Sequence, residues 1–329
     1  MGRDPDDGWR MSIENPAVDW GQALASIESA VNPHIGSGKV ADYIPALARV
    51  DPNKFGLAVA LDGGEMHALG DADESFSMQS ISKIFTLALT LKQIGDHLWE
   101  RVGQEPSGSP FNSIVQLEVE QGIPRNPLIN AGAIATTDSL VSAYGGGEAG
   151  ADKAIADLLQ LFRRLSQDDS IAIDLNVARS ESDTGSRNRA LGHFMASFGN
   201  MTNPVEAALS AYFRHCSLAI SCRQLARAAL FLAFDGTDPE TGEQIITKRR
   251  CRGILAVMMS SGHYDNSGEF AYRIGLPGKS GVGGGILAVA PDQGTIAVWS
   301  PGLNQAGTSM VGSLALGELV KQTGWSVFG

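Results

Sequence analysis

A serine and a lysine three residues apart, Ser80 and Lys83, open a long apolar segment of the chain. Residues 84–91 follow with almost no polar break, which is typical of a helix buried inside a protein. Residues three apart lie on one face of a helix and can meet. Burial and the positive helix end both disfavour a charged amine, so we expect a lowered pKa for Lys83. A neutral amine beside a hydroxyl group is the pattern of a base and its nucleophile.

The four-residue S-x-x-K pattern is weak evidence alone, because most such matches are ordinary helix starts. What strengthens it here is a lysine that enters an apolar helix, since lysine is rarely buried without a reason.

A glycine-rich tract lies late in the chain, at residues 279–285, just before a predicted strand. Glycines in such a position let backbone approach a ligand closely. An N–H group from this strand could lie opposite the N–H of Ser80, and two such donors form an oxyanion hole. The alternative for an isolated tract of this kind is a flexible turn.

Glu181 and Asn188 are seven residues apart, and we expect them to share one face of a single helix. A carboxylate and an amide placed together could hold an ammonium group and a carboxylate group. The alternative is a solvated helix face, which the neighbouring arginines Arg179, Arg187 and Arg189 also favour.

Asn130 is flanked by small and apolar residues, so it is predicted either to need buried partners or to cap a helix. Tyr264 offers a phenol in a predicted polar loop, where an ordinary surface tyrosine is the alternative. Tyr43 and Tyr212 have no independent pattern, and a tyrosine on an apolar helix usually serves packing.

The 329 residues are 43% hydrophobic and 19% charged, which indicates a globular protein of one large or two smaller domains. A net charge of −11 argues against nucleic acid or an anionic membrane surface as the main partner. No apolar run in the sequence is long enough to span a bilayer.

Three scattered cysteines, Cys216, Cys222 and Cys251, predict no disulfide framework, which fits a reducing cytoplasm. The six histidines have no metal-binding spacing, so we expect no metal. The first residues lack the apolar core of a secretory signal. Met11 could be the natural start, and residues 1–16 are interpreted as a leader or a disordered N-terminus.

Strand patterns occur near both ends of the chain and helical patterns fill the middle. The predicted strands are 55–61, 65–69, 285–290 and 295–299, and the predicted helices are 17–35, 130–144, 151–165, Ser180 to Phe198, one from Pro204, 222–234 capped by Ser221, 248–260 capped by Thr247, and 308–322. This order predicts an α+β fold in which one antiparallel sheet, flanked by terminal helices, carries an inserted helical domain. The predicted boundaries are 17–79 and 271–329 for the sheet domain and 80–270 for the helical domain, with the active site between them.

Several motifs in order, from about residue 40 to near the C-terminus, together resemble the serine-dependent glutaminase family, in its compact bacterial form. The motifs are Asp42-Tyr43-Ile44-Pro45, Gln79-Ser80-Ile81-Ser82-Lys83, Asn126-Pro127-Leu128-Ile129-Asn130-Ala131-Gly132-Ala133, Ser180-Glu181-Ser182, Arg187-Asn188, Tyr212-Phe213-Arg214-His215-Cys216-Ser217, Gly262-His263-Tyr264-Asp265 and Lys279-Ser280-Gly281-Val282-Gly283-Gly284-Gly285. The resemblance implies a serine β-lactamase-like fold and hydrolysis of L-glutamine to L-glutamate and ammonia, without metal or organic cofactor. It also implies a homodimer or homotetramer.

The resemblance assigns expected roles as well. Ser80 is expected to be the nucleophile, Lys83 its activating partner and Tyr264 a second proton-handling group, with the choice of base between Lys83 and Tyr264 left open. The expected substrate contacts are Tyr43, Ser80, Asn130, Glu181, Asn188, Tyr212, Tyr264 and Val282, the last through its backbone N–H.

Two other functions fit parts of the same pattern. A penicillin-recognising acyl-enzyme or esterase also combines S-x-x-K with a K-S-G tract, and labelling of Ser80 by a penicillin without glutamine turnover would favour it. A non-catalytic glutamine-binding scaffold that kept the fold is the other alternative, and unchanged ammonia release after Ser80→Ala would favour it.

Overall fold

The computed structural model of the protein describes residues 18–108 and 113–329. The interpretation of residues 1–16 as a leader, and of Met11 as the natural start, lies outside the described residues.

In the described part of the chain, the strands of the main sheet come from near both ends and most helices lie between them, as the hydrophobic pattern predicts. The helices are α1 Trp20–Val31, α2 Ser82–Ile94, α3 Ile114–Val119, α4 Asn130–Ala143, α5 Gly147–Ser166, α6 Leu175–Asp183, α7 Ser186–Ser197, α8 Val205–Cys216, α9 Cys222–Ala229, α10 Lys248–Ser261, α11 Ser267–Ile274 and α12 Met310–Thr323. The strands are β1 Gly56–Leu61, β2 Met66–Gly70, β3 Phe76–Ser77, β4 Ala172–Ile173, β5 Leu218–Ile220, β6 Gly278–Ser280, β7 Gly285–Ala290 and β8 Gly294–Trp299. None of the helices in these ranges has the length and apolarity to cross a membrane.

The main sheet joins the early hairpin to the late one, as predicted. Its order is β2-β1-β8-β7-β6, and every neighbouring pair is antiparallel. In register, Leu57 pairs with Leu69 on one side and with Val298 on the other. The terminal helices α1 and α12 bury Ile27 and Leu316 in one apolar cluster with this sheet. The α+β prediction is therefore confirmed, whereas the domain boundaries stay a prediction.

Helix α2 lies in the interior of the helical region, where α4 packs along it. Every residue from Ser82 to Leu91 is buried. The prediction of a helix that is apolar nearly all round is confirmed, and so is the burial of the lysine that it carries.

One prediction in the middle of the chain is wrong. Ser180 does not open a helix that runs to Phe198, because α6 begins at Leu175 and Asp174 is its N-cap, accepting hydrogen bonds from two backbone N–H groups. The chain then breaks at Gly185, where a Cβ atom would lie 2.5 Å from the ring of Phe213. Two helices, α6 and α7, therefore replace the single predicted one.

This break also corrects the reason given for pairing Glu181 with Asn188. The two residues lie on α6 and α7 and do not share one helical face.

Other boundaries shift by a few residues. Ser221 caps α9 through a capping box, as predicted, but the α-helix ends at Ala229 and continues as a 3-10 turn to Leu232. Thr247 precedes α10 without a capping hydrogen bond from its hydroxyl. The small sheet of β3, β5 and β4 was not predicted, because strands of two or three residues are too short for an alternating pattern.

Candidate active site

The residue before Ser80 sets the entry to helix α2. Gln79 has a φ of 52°, the left-handed region that side chains other than glycine rarely adopt. A 3-10 turn over Gln79–Ile81 follows and carries Ser80, whose side chain is buried. Met78, the residue before Gln79, donates its backbone N–H to the carbonyl of Leu218. Strain of this kind is typical of functional sites.

The glycine-rich tract runs against this same segment. A Cβ atom on Gly283 would lie 2.2 Å from the carbonyl oxygen of Ser77, and one on Gly281 would lie 2.6 Å from that of Met78. Only glycine permits such contacts. The expected close backbone approach is therefore present, and it brings Val282 to the same cavity as Ser80.

Lys83 is 2% exposed, and its Nζ donates to the carbonyl of Leu128 at 3.0 Å and to Oδ1 of Asn130 at 2.9 Å. Burial lowers its pKa from 10.5 to about 8, although the Cys216 thiol and the Glu181 carboxyl oppose the shift. The direction agrees with the prediction. The amine is still largely protonated at pH 7, where roughly a tenth is neutral for a pKa of this value.

Asn130 begins α4 and connects the buried amine to the opposite wall of the site. Its Oδ1 accepts from Lys83, and its Nδ2 donates to Oδ1 of Asn188 at 3.0 Å. Asn130 therefore has hydrogen-bonded side-chain partners on both sides, of which Lys83 is buried and Asn188 partly exposed.

Glu181 is 8% exposed, and burial raises its pKa to about 7. A hydrogen bond with Gln79 and the charge of Lys83 work in the opposite direction. A buried carboxyl group with a pKa near neutrality is suited to receive a positive charge from a ligand.

Tyr264 is 9% exposed and lies in a 3-10 turn between α10 and α11 with a φ of 55°, so the alternative of an ordinary surface tyrosine is wrong. The hydroxyl of Ser267 fixes this turn by donating to the carbonyl of Tyr264 at 2.9 Å. The phenol donates to the carbonyl of Ser280 at 3.3 Å and is hydrogen-bonded to the side chain of Ser80. Burial raises the pKa of Tyr264 to about 12.

A second buried lysine was not singled out by the sequence. The Nζ of Lys279 lies 4.5 Å from the centre of the Tyr264 ring and donates to the carbonyl of Ser280. Burial, helped by the charge of Lys83, lowers the pKa of Lys279 well below its usual value. Its position as the lysine of the K-S-G tract was the one sequence signal that could have marked it as a site residue.

A cavity of about 670 Å³ brings most of the predicted residues together. The predicted site residues that line it are Tyr43, Ser80, Asn130, Glu181, Asn188, Tyr212, Tyr264 and Val282. Lys83 is not part of the lining and reaches the cavity through Asn130. Tyr43 contributes from a side chain that is 58% exposed, whereas Tyr212 is 3% exposed.

Gln79 also lines the cavity, and the sequence reasoning did not name it as a site residue. Its position directly before Ser80 was the sequence signal that could have marked Gln79 as a site residue. Across the described residues, no three His, Cys, Asp or Glu side chains are grouped to hold a metal ion.

An antiparallel sheet with terminal helices on it, a helical region, and a serine at the start of a buried helix define the serine β-lactamase-like class of folds. Within this class, the family model for glutaminase matches residues 38–328. A glutaminase of Rhizobium rhizogenes is 56% identical over 312 residues, which is 95% of this chain and 99% of the relative. The chain belongs to the glutaminase family, whose members are amidohydrolases.

Solved structures agree with this assignment. The probable glutaminase ybaS is 36% identical, with a TM-score of 0.86 over 94% of this chain and 99% of that one. A probable glutaminase from Bacillus subtilis complexed with 6-diazo-5-oxo-L-norleucine is 31% identical, with a TM-score of 0.83 over 93% of this chain and 96% of that one.

Proposed function

We propose that this chain hydrolyses L-glutamine to L-glutamate and ammonia through a covalent glutamyl ester on Ser80. Family membership supports the reaction. The Bacillus subtilis relative complexed with 6-diazo-5-oxo-L-norleucine supports the substrate class, because that compound is a glutamine-shaped electrophile. The observation that carries the mechanism is the buried amine of Lys83, three residues after Ser80. Its two hydrogen bonds go to the oxygen atoms of Leu128 and Asn130.

Lys83 is the better candidate for the base. A neutral amine has two N–H groups and one lone pair, and the two N–H groups are accounted for by Leu128 and Asn130. The lone pair then remains to take the proton of Ser80. With a pKa of about 8 against about 12 for Tyr264, Lys83 is available in its basic form far more often near neutral pH.

Tyr264 suits the opposite task. Its raised pKa keeps the phenol protonated at neutral pH, and its hydrogen bond with Ser80 places it at the reacting centre. We assign it the donation of a proton to the leaving nitrogen. Lys83 then activates the water that attacks the ester.

In the first step, Ser80 Oγ bonds to the side-chain amide carbon and its proton passes to Lys83. The C–N bond then breaks, and ammonia leaves with the proton that Tyr264 donates. Lys83 passes its proton to Tyr264, which restores the phenol and the neutral amine. Lys83 then takes a proton from water as the water oxygen bonds to the ester carbon; the ester C–O bond breaks, and this proton passes to Ser80 Oγ as glutamate is released. The backbone N–H groups of Ser80 and Val282 are proposed to stabilise the oxyanion, an effect worth about 3 kcal/mol per donor.

The remaining predicted contacts would hold the amino-acid end of the substrate. Glu181 is proposed to bind the α-ammonium group, because a buried carboxylate gains most from a positive partner. Asn188, Tyr43 and Tyr212 supply the amide and phenol donors that a carboxylate requires.

Ammonia release from L-glutamine by the wild type and by Ser80→Ala tests the proposal, with L-asparagine as the competing substrate. We expect turnover of glutamine that Ser80→Ala abolishes. Asparagine should be a poor substrate, since it is one methylene shorter and its amide carbon falls short of Ser80 when the amino-acid end is held. Equal turnover by both proteins would overturn the proposal. A cytoplasmic location and a homodimer or homotetramer stay predictions.

A further inference from the structure

A buried chain of polar groups ends at the peptide before Ser80, and none of its side chains is among the residues that line the cavity. His215 on α8 is 1% exposed, and its Nδ1 lies 2.7 Å from the hydroxyl of Ser82. Its Nε2 lies 3.1 Å from the hydroxyl of Thr137. Ser82 donates in turn to the carbonyl of Gln79 at 2.7 Å. The mechanism proposed above uses none of His215, Ser82 and Thr137.

The carbonyl at the end of this chain belongs to the peptide unit between Gln79 and Ser80. A peptide unit is planar and trans, so its N–H points away from its C=O. Ser82 therefore hydrogen-bonds the carbonyl oxygen of the peptide unit whose N–H belongs to Ser80, and this N–H is the proposed oxyanion donor. Because Gln79 has a φ of 52°, this unit needs outside contacts to keep its orientation.

We propose that Ser82 and His215 are positioning residues for the oxyanion hole, acting through the Gln79–Ser80 peptide. This inference rests on the proposed function. The chain runs from His215 through Ser82 to the Gln79 carbonyl, with the hydroxyl of Thr137 at the other ring nitrogen of His215. It both aims the N–H of Ser80 and polarises it, because hydrogen bonds in series strengthen one another.

We assign the direction of the protons from the shorter ring contact. The single hydroxyl proton of Ser82 goes to the carbonyl of Gln79, and Nδ1 of His215 donates to Ser82 at 2.7 Å, against 3.1 Å between Nε2 and Thr137. Burial lowers the pKa of His215 to about 3, so the ring is neutral and carries one N–H. Its Nε2 is then an acceptor for the hydroxyl of Thr137, which has the carbonyl of Ala133 at 2.8 Å as its alternative acceptor.

Ser82→Ala removes the hydroxyl contact with the Gln79 carbonyl and leaves the backbone N–H of residue 82, which donates to the same oxygen. We expect kcat for glutamine to fall by about tenfold or more while KM stays within about twofold, because an oxyanion hole acts on the transition state. Ser217→Ala is the matched control, since Ser217 is equally buried and donates to the carbonyl of Phe213 at 2.7 Å. It should keep both constants. A kcat for Ser82→Ala within twofold of wild type, or an equal fall in Ser217→Ala, overturns the inference.

Two replacements of His215 test whether its Nδ1 donates to Ser82. If Ser82→Ala does not fold, these two variants are sufficient to test the inference. Asparagine places an N–H where Nδ1 lies, whereas glutamine reaches the position of Nε2. We expect His215→Asn to retain kcat within about threefold and His215→Gln to fall with Ser82→Ala. Equal kcat values for the two variants contradict the proposed direction. If Ser80→Ala still turns over glutamine, the proposed function itself fails. If only Ser80→Ala is inactive and all other variants match wild type, the inference alone fails.

Discussion

The amine of Lys83 lies 2.9 Å from Oδ1 of Asn130, and this one amide joins a buried base to the wall of the cavity. Its other end donates to Asn188 at 3.0 Å. An uncharged acceptor at this point lets the amine lose its proton, whereas a carboxylate would hold the proton in place.

Asn130→Asp tests this relationship. The new carboxylate would raise the pKa of Lys83, so we expect kcat at pH 7 to fall by at least about tenfold and the rise of kcat to move to higher pH. The measurement is kcat as a function of pH. Asn176→Asp, on an exposed residue of α6, adds the same charge and should leave the profile unchanged. A wild-type profile in Asn130→Asp would show that this amide does not set the basicity of Lys83.

The pH dependence of the wild type follows from two groups whose effects have the same sign. Lys83 must be neutral to act, so kcat should rise with pH up to about 8 and then level. Glu181 must be ionised to bind an ammonium group, so KM should rise as the pH falls below about 7. Initial rates over a range of pH and glutamine concentration separate the two. A kcat that is flat from about pH 6 to pH 9 would contradict the role of Lys83.

Glu181→Gln separates binding from stability. The folded protein raises the pKa of Glu181 from 4.5 to about 7, so its ionisation costs stability above pH 7 and costs nothing below about 4.5. Removing the charge should therefore stabilise the fold at pH 8, by up to about 3 kcal/mol, and have little effect at pH 4.5. Urea unfolding at the two pH values measures this, while KM for glutamine should rise strongly.

The control for that experiment is Glu28→Gln, at an exposed position of α1, which should show no pH-dependent gain. A loss of stability in Glu181→Gln at pH 8 would mean that the carboxylate is already well paired without substrate.

Tyr264→Phe removes the proposed proton donor while keeping the ring packed. We expect kcat to fall by about 100-fold, the usual range for the loss of a general acid, with little change in the unfolding midpoint. Tyr272→Phe is the matched control, because that tyrosine is 91% exposed. A kcat for Tyr264→Phe within a few-fold of wild type would remove Tyr264 from the reaction.

Local patterns in the sequence predicted the sheet, the buried helix α2 and the burial of the lysine that it carries, because periodicity decides those features. The same kind of pattern failed at Ser180, whose S-x-x-D spacing imitates a helix start. Asp174, six residues earlier, is the actual cap, and the packing of Phe213 on Gly185 breaks the chain after it. That contact joins residues distant in sequence, so no local pattern could reveal it.

The residues that line the site are likewise brought together by contacts between segments distant in sequence. Glu181 and Asn188 both line the cavity although the single helix that was expected to align them does not exist. The burial of Lys279 against Tyr264 could not be predicted either, since it follows from how the late strand packs on the helical region.

The most direct test of the central claim, that Ser80 is the nucleophile, is covalent labelling with 6-diazo-5-oxo-L-norleucine followed by peptide mapping. In the expected reaction the diazo carbon takes up the proton of Ser80, Ser80 Oγ bonds to that carbon, and the C–N bond breaks to release dinitrogen. We predict one label per chain, on Ser80, that appears in step with the loss of glutamine turnover and is absent from Ser80→Ala. A label on another residue, or equal labelling of Ser80→Ala, would contradict the account.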